Sequence, residues 1–159
     1  MASKTNAVRL VEQAKIPCRE AFYEYDEQDL SGIHAAQAIG LPEEQVFKTL
    51  VARGERTGIH VFCIPVCCEL DLKKAAKAVG EKSIVMIRQA ELLPLTGYVH
   101  GGCSPVGMKK QFRTVIHESA ANLPRMLVSA GRIGAQVELA PADLAKLVRA
   151  EFNFVTTEG

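Results

Sequence analysis

Val46-Phe47-Lys48-Thr49-Leu50-Val51-Ala52, a turn from Gly54 to Gly58, and the run Ile59 to Val66 decide the fold. Both apolar runs read as strands, and the glycine-bounded turn makes them an antiparallel hairpin. Side chains alternate faces along a strand. One face of the first strand receives Val46, Lys48, Leu50 and Ala52, and the other Phe47, Thr49 and Val51. Both faces are mostly apolar, so this strand reads as central and covered on two sides.

Working outward, a helix is expected after Ser3 as N-cap, with Ala7, Leu10, Val11 and Ala14 on one face. Pro17 stops it, and Glu20–Tyr25 reads as a short strand. Ser31-Gly32 opens a second helix with Ala35, Ala36 and Ile39 inward, closed by Gly40 and Pro42. Asp71 caps a third, with Leu72, Ala75, Ala76 and Val79 inward and Gly80 at its end. Short strands follow near Ser83–Ile87, Arg113–His117, Met126–Ser129 and Gln136–Leu139. Pro141 opens a last helix with Leu144, Leu147, Val148 and Phe152 on one side. Hairpins mixed with crossover helices predict an α+β fold whose mixed sheet curls towards a barrel. One domain over residues 1–159 is expected.

Composition narrows the function. Of 159 residues, 48% are hydrophobic and 23% charged, which is globular usage rather than disorder. The formal net charge of +1 argues against tight, purely electrostatic nucleic-acid binding. The longest run without Asp, Glu, Lys or Arg, Leu92–Met108, carries four glycines and two prolines and cannot span a membrane as a helix. The first residues hold no export signal, and five cysteines fit free thiols in a cytoplasmic protein.

Three features could carry chemistry. Lys48 stands on an apolar strand face, where a lysine either snorkels to solvent or serves a site. The stretch Thr96-Gly97-Tyr98-Val99-His100-Gly101-Gly102-Cys103-Ser104-Pro105-Val106-Gly107 makes a loop in which backbone can approach a ligand. Its N–H groups suit an anion or a developing oxyanion; a bulged connection between strands is the plainer reading. Val128-Ser129-Ala130-Gly131-Arg132-Ile133-Gly134-Ala135 is a second close-approach loop or a simple hairpin turn. Cys63-x3-Cys67-Cys68 is not a zinc spacing, the histidines are scattered, and neither a serine triad ordering nor a nucleophile elbow is present. No metal or cofactor is expected.

Four segments together resemble the YbaK/EbsC family of free-standing aminoacyl-tRNA deacylases, related to the editing domain of bacterial prolyl-tRNA synthetases. They are Phe47–Val51, Glu69–Lys77, Thr96–Gly107 and Val137–Ala145, in order along a match from about Lys4 to Glu151. The resemblance implies hydrolytic proofreading, typically release of cysteine from Cys-tRNA(Pro), with an alanyl substrate as a variant. It implies Lys48 as the family's essential lysine, with Thr49 beside it. It also implies a glycine loop from Gly101 through Gly102, Cys103 and Ser104 to Pro105, a pocket tyrosine at Tyr23, and a second loop holding Ser129 and Gly131. Well-known bacterial members carry an aspartate near Gln136, and here this chain departs. The family's proposed route uses the substrate's own thiol to form a thiolactone, which needs no protein nucleophile. The partners implied are the mischarged tRNA and prolyl-tRNA synthetase. A non-catalytic module that binds a tRNA acceptor end or the synthetase is the alternative class.

Overall fold

The computed structural model describes residues 4–158. In chain order its elements are α1 (Asn6–Gln13), β1 (Cys18–Phe22), α2 (Gly32–Ile39), β2 (Phe47–Gly54), β3 (Gly58–Pro65), α3 (Leu72–Ala78), β4 (Ile84–Met86), α4 (Gln89–Thr96), β5 (Arg113–His117), β6 (Met126–Ser129), β7 (Ala135–Leu139), α5 (Pro141–Val148) and β8 (Glu151–Asn153). The hairpin forms as read: β2 and β3 pair antiparallel from Phe47 opposite Pro65 to Gly54 opposite Gly58.

Five strands lie in the order β4-β2-β3-β5-β8, and three in the order β1-β7-β6. The larger sheet is mixed, because β3–β5 and β5–β8 are parallel while β2 pairs antiparallel on both sides. A single parallel bridge between Val46 and Leu127 joins the two sheets. The barrel-like curl is therefore two sheets meeting at Val46.

Strand β3, antiparallel to β2 on one side and parallel to β5 on the other, is central and buried on both faces. Phe62 and Ile64 pack against Ala75, Ala76 and Val79 of α3, while Val61 packs with Val51 and Cys103 on the opposite side. The main core lies where α1 and α5 cover the smaller sheet, with Val8, Val11, Val128, Val137, Leu144 and Val148 fully buried. Each such side chain contributes roughly 1.5–3 kcal/mol.

Strand β2 differs from its reading. It is closed on both sides only at its far end, because β4 pairs with Ala52–Gly54 alone. Lys48, Thr49 and Leu50 are half-buried beside an edge that carries no strand. That opening is where the site sits.

Some boundaries move for local reasons. Ser3 lies outside the described residues, and Thr5 caps α1 by accepting from the Val8 amide at 3.2 Å. The first strand is Cys18–Phe22, set by its pairing with β7, so Tyr23 and Tyr25 lie beyond its end. Leu72 is 41% exposed rather than inward, because Asp71 sets α3 with its alanine face on the sheet. Phe152 does not extend α5: Arg149 turns left-handed (φ 56°), and Phe152 enters β8 opposite Ile116. Helix α4, which contains Pro94, and strand β8 carried no usable sequence pattern.

Candidate active site

The open edge of β2 forms one wall of a cavity of about 440 Å3. Lys48, Thr49 and Leu50 line it, with Tyr23 after β1, the N-terminus of α2, His100 and Gly101 from the first glycine loop, and Ser129 and Gln136 from the smaller sheet. The cavity thus lies between the two sheets, next to the Val46–Leu127 bridge.

Its approach to α2 depends on a glycine. A Cβ at Gly32 would lie 2.3 Å from Val66 Cγ1, so only glycine lets α2 start this close to β3 and Lys48. Ser31 caps the helix by accepting from the His34 amide at 3.2 Å. The positive end of a helix therefore faces the same space as the Lys48 ammonium. Lys48 makes no ion pair among the described residues, and no Asp or Glu lines the cavity. Its field is positive, suited to a phosphate or a developing oxyanion.

The two glycine loops support each other. Gly101 has φ +88°, and a Cβ there would meet Leu30 and Ile133 at 3.1–3.4 Å. A Cβ at Gly102 would lie 2.9 Å from backbone atoms of Arg132 and Ile133. The first loop is seated on the second, backbone to backbone. The Gly102 amide donates to the Val99 carbonyl at 3.0 Å. Neither the Gly101 nor the Cys103 amide has an acceptor among the described residues. Gly131 has φ +103°, and its amide donates to Ser129 Oγ at 3.1 Å.

The residues expected at the site therefore divide. Tyr23, Lys48, Thr49, Gly101, Cys103 and Ser129 line one cavity. Gly102, Ser104 and Pro105 are buried and do not: Ser104 is fully enclosed, and its hydroxyl accepts from the Val106 amide. They hold the loop's shape instead of touching the space. Gly131 lines a neighbouring cavity. Sequence reading missed the start of α2 and Leu92; the Ser31-Gly32 cap was visible, but nothing in it pointed to Lys48.

Neither Cys103 nor Cys63 is poised as a nucleophile. Burial pushes the Cys103 thiol up to about 12, against a weaker lowering by a hydrogen bond with Thr96. Burial likewise pushes Cys63 up to about 12, and its sulfur lies 4.0 Å from Thr49 Oγ1. Gln136 is 6% exposed, and its Oε1 has no hydrogen-bond partner among the described residues. A buried amide oxygen without a donor is costly, and here it stands at a cavity wall. Among the described residues no three His, Cys, Asp or Glu side chains gather as a metal site, and no helix is long and apolar enough to cross a membrane.

A cation and a glycine loop flank an open strand edge, with the Cys103 thiol held protonated, an arrangement suited to an anion or a developing oxyanion. The chain belongs to the aminoacyl-tRNA editing domain family, whose model matches residues 31–147. Among its relatives is the Enterococcus faecalis protein EbsC, provisionally named a Cys-tRNA(Pro)/Cys-tRNA(Cys) deacylase. It is 46% identical over 98% of this chain and 94% of its own length. A solved structure described as a candidate trans-editing enzyme for prolyl-tRNA synthetase superposes with a TM-score of 0.80 at 26% identity, covering 98% of this chain and 100% of that one. A second, described only as a hypothetical protein, gives 0.85 at 21% identity over 94% and 98%, and shows the fold alone.

Proposed function

We propose that this protein is a cytoplasmic trans-editing deacylase that removes cysteine from Cys-tRNA(Pro). The observation that carries the reading is the combination in one cavity of an unpaired Lys48, the Gly101 turn and a Cys103 thiol held protonated by burial. A prolyl synthetase cannot strongly exclude a smaller side chain, since a methylene is worth only about 1–3 kcal/mol, so a second site must destroy the product.

The ester is already activated, and the enzyme mainly positions it. In the proposed step the substrate thiol attacks its own ester carbonyl. A carbon–sulfur bond forms, the carbon–oxygen bond to the ribose breaks, and the thiol proton ends on the released ribose hydroxyl. The products are cysteine thiolactone and uncharged tRNA. Lys48 and the unpartnered loop amides stabilise the developing oxyanion, while Tyr23, Thr49 and Ser129 bound the aminoacyl group. With a net charge of +1, affinity for free tRNA is weak and salt-sensitive, and prolyl-tRNA synthetase supplies the substrate by proximity.

The test is deacylation of tRNA(Pro) charged with cysteine, serine, alanine or proline by purified protein. Cysteine should leave fastest, with a trappable thiolactone. Equal cleavage of the seryl ester would exclude the thiol route. No cleavage of any charged tRNA would leave a binding module.

A further inference from the structure

A second cavity, of about 590 Å3, adjoins the first and shares Tyr23 with it. Its other walls are Tyr25, Tyr98 and Val99, together with Gly131, Arg132, Ile133 and Gly134 of the second loop. We propose that this cavity holds an unpaired nucleotide of the tRNA 3′ end, the one next to the nucleotide that carries the ester. The assignment rests on the deacylase reading above.

Three observations point to a nucleotide. First, two exposed apolar side chains line the cavity, Tyr25 and Val99, each 47% exposed, and Phe22, 57% exposed, lies beside its Arg132 wall. Water-exposed aromatic rings beside a cavity are the usual platforms for unpaired bases, since every base has a π-face. Second, the rings are held against backbone. A Cβ at Gly134 would lie 3.0 Å from the Tyr25 ring, and one at Gly131 would lie 3.1 Å from the Tyr98 ring. The Tyr98 hydroxyl donates to the Val106 carbonyl, which fixes that ring further. Third, the charge is complementary. The Arg132 guanidinium sits 5.7 Å from the Phe22 ring centroid and makes no ion pair among the described residues. No carboxylate lines the cavity, although Glu24 and Asp26 stand exposed in the adjoining segment. An arginine over an aromatic ring can pair with a phosphate and stack on a base.

The two cavities meet at Tyr23, so an ester in the first places its neighbouring nucleotide at the second. Phe22 and Tyr25 flank Tyr23 in sequence, and none of the three belongs to the apolar core.

The experiment compares two substrates and one binding probe. Wild type, Tyr25→Ala, Phe22→Ala and Arg132→Gln are assayed on Cys-tRNA(Pro) and on cysteinyl-adenosine, which carries the ester without the adjacent nucleotide. Each variant should raise KM for the tRNA about tenfold, leave kcat near wild type, and change cysteinyl-adenosine turnover less than twofold. The trinucleotide CCA, titrated by NMR, should shift the Tyr25 ring resonances in wild type and bind Arg132→Gln about tenfold more weakly. Equal loss on both substrates, or unchanged KM with CCA shifts elsewhere, overturns the proposal while leaving the deacylase reading intact. CCA binding at Tyr25 without deacylation of any substrate upholds the nucleotide site and overturns the reaction.

Discussion

Replacing Cys103 by alanine separates the two sources of an attacking thiol. Burial holds this thiol at about 12, so at pH 7.5 the gap is 4.5 units and only about one molecule in 30,000 carries a thiolate. At its ordinary value of 9.0 the fraction would be about one in 30, a thousandfold more. Cys103 lines the cavity while packing with Val51 and Val61. Cys103→Ala therefore removes a packing atom rather than a reactive group. The expected cost is about 1 kcal/mol, or roughly 2–4 °C in Tm for a chain of this size. Single-turnover deacylation of Cys-tRNA(Pro) should stay within threefold of wild type. Alkylation of Cys103 by iodoacetamide should be slow at pH 7.5 and still rise with pH at 9.5. Loss of deacylation in Cys103→Ala, with a thioester on the wild-type protein detected by mass spectrometry, would refute the reasoning.

Lys48→Ala should leave the Tm within about 2 °C, because a half-buried lysine without an ion pair contributes little, while deacylation falls at least a hundredfold; retained turnover would take Lys48 out of the mechanism. Gly102→Ala should lower the Tm by several degrees, since its methyl would press on the Arg132–Ile133 backbone at 2.9 Å; differential scanning calorimetry measures it. The Arg53 guanidinium and then the Arg88 amide hold the Glu91 carboxyl at about 2, below its ordinary 4.5. A depressed folded-state value gives stability that is present above 4.5 and lost as pH falls towards 2. Glu91→Gln should therefore lower the Tm at pH 6 and leave it unchanged near pH 2.

The hairpin around Lys48 was legible because strands of alternating apolar residues and a glycine-bounded turn carry their own signal. So were the bounds of β5 and β6, which match the apolar runs residue for residue. Helix α4 was hidden by Pro94, which local reasoning treats as a breaker, whereas here only Leu95 and Thr96 follow it in the helix. Phe152 fits the apolar stripe of α5 by spacing alone; the left-handed turn at Arg149 that sends it into β8 leaves no pattern in a non-glycine residue. At the site, the lysine and both glycine loops were visible as local anomalies. Which loop residues face the cavity was not, because Gly102 is withdrawn by its seat on the Arg132–Ile133 backbone, a contact distant in sequence. The openness of β2 was equally illegible, since it depends on where β4 stops pairing.

The seating of Gly102 on the Arg132–Ile133 backbone bears on how such a cavity can be re-engineered. No side chain stands between Gly102 and that backbone, so repacking cannot narrow the gap at this point. The pair acts as a rigid jaw whose opening is set by peptide thickness. A change of preferred amino acid must come from the other walls: Ile33, Val66 and Leu92 line the cavity, and none of them is among the nearest neighbours of a glycine in either loop. A library confined to those three positions would sample side-chain selectivity while leaving the polarising frame of Lys48 and Gly101 in place.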